Sequence, residues 1–288
     1  MAAQPETCYL HPGRETRVHC TRCDRPICPD CMTAAPVGHH CPACVAEARR
    51  ETRRVRLLPR RPRSVTAVLL VINLSVFVVE MGLGGATDTR VLARMGAMVP
   101  ILVAQGEYWR LFTAIFLHVG VVHLALNSLG LYIFGNLIEN VLGSARFLAI
   151  YLVGGLCASA TSFAFSGPGT VAAGASGAIF ALLGAWLAYN LRRRSLSLAR
   201  SNIQGALVLI AINLVFGFSV PGIDNLAHLG GLAAGVGAGL AAEGIGRRDL
   251  RAVTRIAGFV LLLAVAAALT AWRVTDLQGL LGSVGPLP

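Results

Sequence analysis

From residue 65 onward, apolar runs long enough to cross a bilayer dominate this sequence, and that restricts the fold more than any single motif. A spanning helix needs roughly 20 largely apolar residues, each adding ~1.5 Å across a ~30 Å hydrocarbon core. Seven stretches suit it, at about 65–83, 111–135, 145–165, 175–191, 203–219, 225–243 and 255–273. The 288-residue chain is 55% hydrophobic and only 14% charged. A soluble domain of average composition carries about 25% charged residues. The charge deficit lies after residue 64, so the sequence divides into a polar, cysteine-rich start and an all-α polytopic membrane protein.

The formal charge of +11 comes from arginine, since no lysine occurs. Short arginine-rich loops stay cytoplasmic. Arg49, Arg50, Arg53, Arg54, Arg56, Arg60, Arg61 and Arg63 precede the first span. Arg192, Arg193, Arg194 and Arg200 separate the fourth and fifth spans, and Arg247, Arg248, Arg251 and Arg255 separate the sixth and seventh. The links on the other side, SGPGTVAAGA (166–175) and SVPGID (219–224), are nearly uncharged. The expected topology is N-terminus in, C-terminus out. The opening MAAQPETCYL has no apolar h-region, which agrees with a cytoplasmic start. Charge placed this way suggests a membrane surface as partner, and membrane lipids are expected to engage the juxtamembrane arginines.

Given this topology, the fourth span begins at the outer face with VAAGASGAIFALLGAW (171–186), and Ser176 lies at its N-terminal end. Helix N-termini expose unpaired backbone N–H groups and partial positive charge, so an oxyanion formed at Ser176 would find donors. A serine N-cap, or a small residue allowing helices to approach, is the competing reading. The sixth span opens with DNLAHLGGLAAGVGAG (224–239), placing His228 at a similar depth. Gly231, Gly235 and Gly239 recur every four residues, and Gly177, Ala181 and Ala185 form a matching small face. Apposing these faces brings His228 towards Ser176. Serine needs a neighbouring base to act as a nucleophile, and imidazole titrates in the right range. Asp224 lies only at the span's edge, so the expected device is a Ser–His dyad. A histidine hydrogen-bonded within the bundle is the alternative for His228. The second span contributes FLHVGVVHLALNSLGLYIFG (116–135), in which His123 and Asn127 share a helix face. An imidazole and an amide there could stabilise a tetrahedral oxyanion. A metal site of His118, His123 and His228 competes, though no carboxylate or thiol accompanies them.

GASG around Ser176, AHLGGLAAG around His228, HLALN from His123 to Asn127, and YWRLFTAIFLH ahead of it together resemble the rhomboid intramembrane serine proteases. The resemblance covers about 65–243 and implies a rhomboid six-helix core with a seventh transmembrane helix appended. By resemblance, Ser176 is the nucleophile and His228 the general base. Asn127 and His123 contribute to the oxyanion hole with the Ser176 amide, and His118 and Gly174 occupy supporting positions. Trp109 and Arg110 match a motif of the long first loop, partly sunk in the outer leaflet. Phe180 stands where many members carry a tyrosine stacked on the histidine. The implied activity is endopeptidase cleavage of transmembrane protein substrates near the outer face of the plasma membrane. A non-proteolytic rhomboid-like protein that binds membrane clients is the alternative. A transporter would show broken helices, intramembrane carboxylates or an inverted repeat; it is disfavoured because no convincing repeat is present and the polar groups collect at one outer site instead of forming a path.

Residues 1–48 read CYLH (8–11), CTRC (20–23), CPDC (28–31) and CPAC (41–44). A cytoplasmic location disfavours disulfides. Four ligand pairs suit two structural Zn²⁺ ions. The order and spacing resemble a B-box-type finger, which implies cross-bracing. Cys8, His11, Cys28 and Cys31 would hold one ion, and Cys20, Cys23, Cys41 and Cys44 the other. Replacement of a cysteine by His39 or His40 stays open. His19 reads as a surface residue and Cys157 as an apolar filler. The finger suits a protein partner; no nucleic acid is expected, since the aromatic and basic surface of a reader is lacking. The expected organisation is a zinc-binding domain at 1–48, an Arg-rich linker at 49–64, the six-helix core at 65–243, and a loop, seventh helix and tail at 244–288.

Overall fold

The computed structural model describes residues 6–35, 37–48, 64–220, 222–244 and 249–283, with side chains as far as 279. The predicted linker therefore lies, apart from Ser64, outside the described residues, as do Arg247 and Arg248. By its contacts the chain forms two compact units, Met1–Pro62 and Arg63–Pro288.

In the first unit, β1 (Glu6–Cys8) and β2 (His11–Thr16) make an antiparallel hairpin in which Cys8 pairs with His11. A 3-10 turn at Pro29–Cys31 follows, then β3 (Thr33–Ala34) antiparallel to β4 (His39–His40), and a helix, α1, over residues 42–48. The interior is Ile27 and six cysteines, with Tyr9 and Met32 packed against them. Such a core is too small to hold a fold by apolar burial alone.

The second unit is helical, as the apolar runs require. Its long elements are α2 (Val65–Gly82), α8 (Ser144–Phe165), α9 (Ser176–Leu191), α10 (Ser197–Ser219), α11 (Asn225–Glu243) and α12 (Arg251–Ser283). Between α2 and α8 lie three short helices, α3 (Thr89–Met95), α4 (Pro100–Ala104) and α5 (Arg110–Thr113). They are followed by α6 (Gly120–Gly130), a π-helical turn (Leu131–Gly135) and α7 (Asn136–Leu142), which run on as one span. Among the described residues five helices are long and apolar enough to cross a membrane: α2, the α6–α7 span, α8, α10 and α12. At 16 residues, α9 is apolar but shorter. Both α9 and the glycine-rich α11 are lined along their length by buried residues. Helices enclosed by other helices need less length and less hydropathy than those facing lipid.

The second span departs from its predicted limits of 111–135. Leu117 is extended (φ −87°, ψ 152°) and Gly120 adopts φ +80°, which ends the α5 region and starts a new helix. The span then runs to Leu142, carrying Glu139 inside it. That carboxylate is only 4% exposed because it caps α2. It accepts from the Val65 and Thr66 amides and from the hydroxyls of Ser64, Thr66 and Ser144. The seventh span is also longer than predicted, by ten residues at its C-terminal end.

The seam between α9 and α11 depends on missing side chains. A Cβ at Gly231 would fall on the Gly177 carbonyl, one at Gly235 on the Ala181 backbone, and one at Gly239 on Ala185. From the other side, a Cβ at Gly184 would strike the Leu232 carbonyl. Gly235→Leu is therefore expected to cost about 3 kcal/mol, near the top of the usual overpacking range. The thermal midpoint in detergent should fall accordingly. Gly205→Leu on α10, where nothing lies within 4 Å, serves as the control and should leave that midpoint in place.

Candidate active site and metal centres

Ser176 is the first residue of α9, and the N-cap is Ala175, which makes no side-chain capping bond. Capping thus does not account for the serine. The first intrahelical bond runs from the Ile179 N–H to the Ala175 carbonyl at 2.9 Å, leaving the amides of Ser176, Gly177 and Ala178 outside that ladder. The link that precedes it, residues 166–175, is fastened on both sides. Met98 and Ala172 exchange backbone bonds at 2.9 Å, and the Gly174 amide donates to the Ala114 carbonyl at 2.9 Å. A small cavity beside Ser176 is lined by Met98, Ala114, Ser162, Gly174, Asp224 and Ala227.

Phe180 lies one turn after Ser176 on the same face of α9. Its ring stacks on His228, with centroids 4.3 Å apart and planes 5° from parallel. His228 is buried, and its Nδ1 has no hydrogen-bond partner among the described residues. Asp224, one turn earlier, is committed as the N-cap of α11. Its Oδ1 accepts from the Ala227 amide at 2.9 Å and its Oδ2 from the Ser162 hydroxyl. With its cap position filled in this way, Asp224 does not orient the imidazole.

His123 approaches the same place from α6. A Cβ built on Gly174 (φ +148°) would lie 2.9 Å from His123 Nε2 and 3.6 Å from Ser176 Oγ, so glycine is required there on both conformational and steric grounds. The Val119 N–H donates to His123 Nδ1 at 3.1 Å. A nitrogen accepting from an amide carries no proton, so the neutral ring bears its hydrogen on Nε2, facing Gly174 and Ser176. Asn127, one turn along α6, is buried, and its Nδ2 has no partner among the described residues. His118 lies in the extended link before α6 instead of within a span. Its ring is 5.5 Å from that of His123, its Nδ1 faces the Phe116 carbonyl, and its amide donates to Glu80 at 3.0 Å. No grouping of His118, His123 and His228 compatible with a metal ion occurs among the described residues.

Sequence reasoning passed over Glu80, a fully buried carboxylate in α2 that holds the His118 link. A carboxylate within an apolar run was itself the available signal. In the first loop, Arg110 is buried and bonds Glu107 and the carbonyls of Ala93 and Ala97, with Trp109 beside its guanidinium.

The first unit gathers two ligand groups, Cys8, His11, Cys28 and Cys31, and Cys20, Cys23, Cys41 and Cys44. His39 and His40 belong to neither, being held in β4, and His19 pairs with Glu6 at the surface. The cysteines are free thiols. His11 Nδ1 stands 3.8, 3.3 and 3.4 Å from the sulfurs of Cys8, Cys28 and Cys31. Cys8 and Cys31 are 3.8 Å apart, and Cys23 and Cys41 3.7 Å. A tetrahedral zinc with Zn–S ≈ 2.3 Å and Zn–N ≈ 2.0–2.1 Å has ligand–ligand edges of about 3.6–3.8 Å. The donor sets fit that ion. Backbone amides support the sulfurs, with Cys41 N–H donating to Cys20 and Cys44 N–H to Cys41. Burial, then hydrogen bonds that their own S–H groups donate to neighbouring sulfurs, pushes Cys31 and Cys44 up to about 12. At Cys8 and Cys20 burial acts in the same sense, but backbone amide donors outweigh it and bring the thiols down to about 6. Each group thus mixes thiols that ionise readily with thiols that resist a second negative charge. A divalent cation resolves that conflict.

The Rhomboid domain family matches residues 105–243. The chain is 47% identical over 189 residues to Rhomboid protease GluP of Bacillus subtilis (strain 168), covering 64% of this chain and 36% of that protein. It is 40% identical over 146 residues to RHOMBOID-like protein 1 of Arabidopsis thaliana, covering 50% and 37%. To RHOMBOID-like protein 6, mitochondrial, of the same plant it is 39% identical over 155 residues, covering 53% and 49%. The chain thus spans between about a third and a half of the length of these relatives. The match of residues 105–243 to the Rhomboid domain, together with these relatives, supports the rhomboid family for this chain.

Proposed function

We propose that the chain is an intramembrane serine endopeptidase in which Ser176 attacks and His228 acts as base. The observation that carries this reading is the convergence of the His228 and His123 rings on the first turn of α9. His228 takes the Oγ proton as Oγ bonds to the scissile carbonyl carbon. The resulting oxyanion is met by the Ser176 amide, the His123 Nε2–H and the Asn127 amide. As the C–N bond breaks, His228 returns the proton to the departing amine. Water, activated by the same imidazole, then hydrolyses the acyl-enzyme. Stacking on Phe180 fixes the ring plane that a carboxylate fixes in a triad. The arginine clusters support a cytoplasmic N-terminus and a site open to the outer face, and the plasma membrane is the membrane proposed. Suitable substrates are transmembrane helices with small or helix-weakening residues near their outer ends, because a helical carbonyl is shielded until its helix opens.

The test is reaction of the purified chain in liposomes with a fluorophosphonate probe, alongside cleavage of a model transmembrane substrate. Labelling confined to Ser176 together with cleavage supports the reading, and the absence of both would overturn it. Asn127→Ala is expected to lower kcat by about 10²–10³-fold, the usual effect of removing one oxyanion donor, with KM little changed. Single-turnover kinetics on the same substrate measure this. For the first unit we propose a B-box-like domain with two structural zinc ions that docks a protein partner.

A further inference from the structure

Helix α12 lies outside the residues matched to the Rhomboid domain, and the sequence gives it no catalytic motif. At 33 residues it is about 50 Å long at ~1.5 Å per residue, well beyond a ~30 Å core. It begins at the end of the bundle where α11 stops and reaches the opposite end, where α8 stops and α9 begins. Its last turns are not a lipid-facing remnant. Val274 and Leu277 are 8% and 3% exposed and pack with Met98, Val103, Ala104, Leu111 and Phe163, and Ala172 joins the same cluster. Gln278 Nε2 donates to the Ala104 carbonyl at 3.0 Å, tying α12 to α4. Arg273 Nη2 donates to the Ser166 carbonyl at 3.0 Å, at the point where α8 gives way to the link leading to Ser176. Its side chain is 16% exposed and is oriented by an ion pair with Asp276. Trp272 lies against Phe165, 5.8 Å between rings.

The link before the nucleophile, residues 166–175, is consequently held in three places. Arg273 fixes its start at Ser166, Met98 pairs with its middle at Ala172, and Ala114 receives the Gly174 amide two residues before Ser176. Met98 itself belongs to the same buried cluster as Val274 and Leu277. We infer that the far end of α12 is a positioning element for the link that carries the nucleophile, with Arg273 and Gln278 as its positioning residues. This rests on the protease reading of the site. Neither residue touches Ser176, so their effect must run through the geometry of residues 166–175. It should therefore appear in the chemical step and leave substrate capture unaltered.

The experiment uses the full chain in liposomes, with wild type, Arg273→Ala, Arg273→Lys and Gln278→Ala compared for cleavage of one transmembrane substrate and for the rate of fluorophosphonate labelling. Misplacing a reacting group by about 1 Å can cost 10²-fold in rate. Arg273→Ala is expected to lower kcat and the labelling rate in parallel, by on the order of 10- to 100-fold, with KM within about twofold. Arg273→Lys, which can still reach the Ser166 carbonyl, should recover most of the loss, and Gln278→Ala should show a smaller fall of the same kind. Unchanged kcat in both alanine variants, or a change confined to KM, overturns the inference. If Arg273→Ala does not fold, the lysine and Gln278 variants decide by the same criteria. A wild-type chain that neither cleaves nor labels refutes the protease reading instead, so the two failures are distinct.

Discussion

Ser176→Ala is expected to stop cleavage of a reconstituted transmembrane substrate, with kcat falling by on the order of 10⁴- to 10⁶-fold, as when the nucleophile of a serine protease is removed. His228→Ala should cost a similar amount, because an unassisted serine hydroxyl is a weak nucleophile. The double variant should be little worse than either single one, since the two groups act as one unit. Stability should hardly move with Ser176→Ala. The serine is not a cap, and alanine favours the helix interior more than serine does. Phe180→Leu separates two contributions: it keeps an apolar side chain beside His228 but removes the parallel ring that fixes the imidazole plane. Activity should then fall while the fold persists. Cleavage by Ser176→Ala at the wild-type rate, or fluorophosphonate labelling that survives the substitution, would remove the proposed mechanism.

How much of this arrangement could be read in advance depends on the kind of signal each residue leaves. The small faces of α9 and α11 were legible because four-residue spacing survives in one dimension. Gly231, Gly235 and Gly239 do meet Gly177, Ala181 and Ala185. The limits of the second span were not. Its start is set by the backbone at Leu117 and Gly120, and its end by Glu139, whose charge resembles a boundary until its five hydrogen-bond donors are known. Hydropathy likewise ended the seventh span at 273, because Arg273, Thr275, Asp276 and Gln278 interrupt the apolar run. Helix length there is decided by the burial of Val274 and Leu277 in a cluster shared with Met98 and Phe163, which window averages do not contain. Serine as an N-cap was a reasonable local reading, and it fails only because Ala175 takes the cap position. The protonation of His123 was wholly beyond the sequence, since it depends on one backbone amide, that of Val119. The four-ligand spacing of the cysteines was visible. How the pairs combine came through the resemblance to a B-box finger, and the grouping in space coincides with it.

Removing zinc should unfold the first unit. Residues 6–48 bury Ile27 and six cysteines, with Tyr9 and Met32 partly covered, which is far from an independent hydrophobic core. Domains of this size generally need metal or disulfides, and these thiols are free. Structural zinc supplies about 10–16 kcal/mol of apparent binding free energy in small fingers near neutral pH, and that energy is folding energy. Metal analysis of the full chain is expected to give two zinc ions, one for each ligand group. A strong chelator should strip both and open residues 6–48 to limited proteolysis while fluorophosphonate labelling of Ser176 is used to follow the membrane unit separately. Cys20→Ser removes a ligand of the second group and should leave at most one ion. Because the ligand pairs alternate between the two sites along the chain, its loss should also loosen the first site. Cys157→Ser lies in α8, belongs to neither group and should keep both ions. Acid should act as the chelator does, because protons compete with Zn²⁺ for thiolate and imidazole, so metal is lost as pH falls and regained on neutralisation. A chain containing one ion or none at neutral pH would contradict the two-site scheme. Protease resistance that persists after complete stripping would show that something other than metal holds these forty residues together.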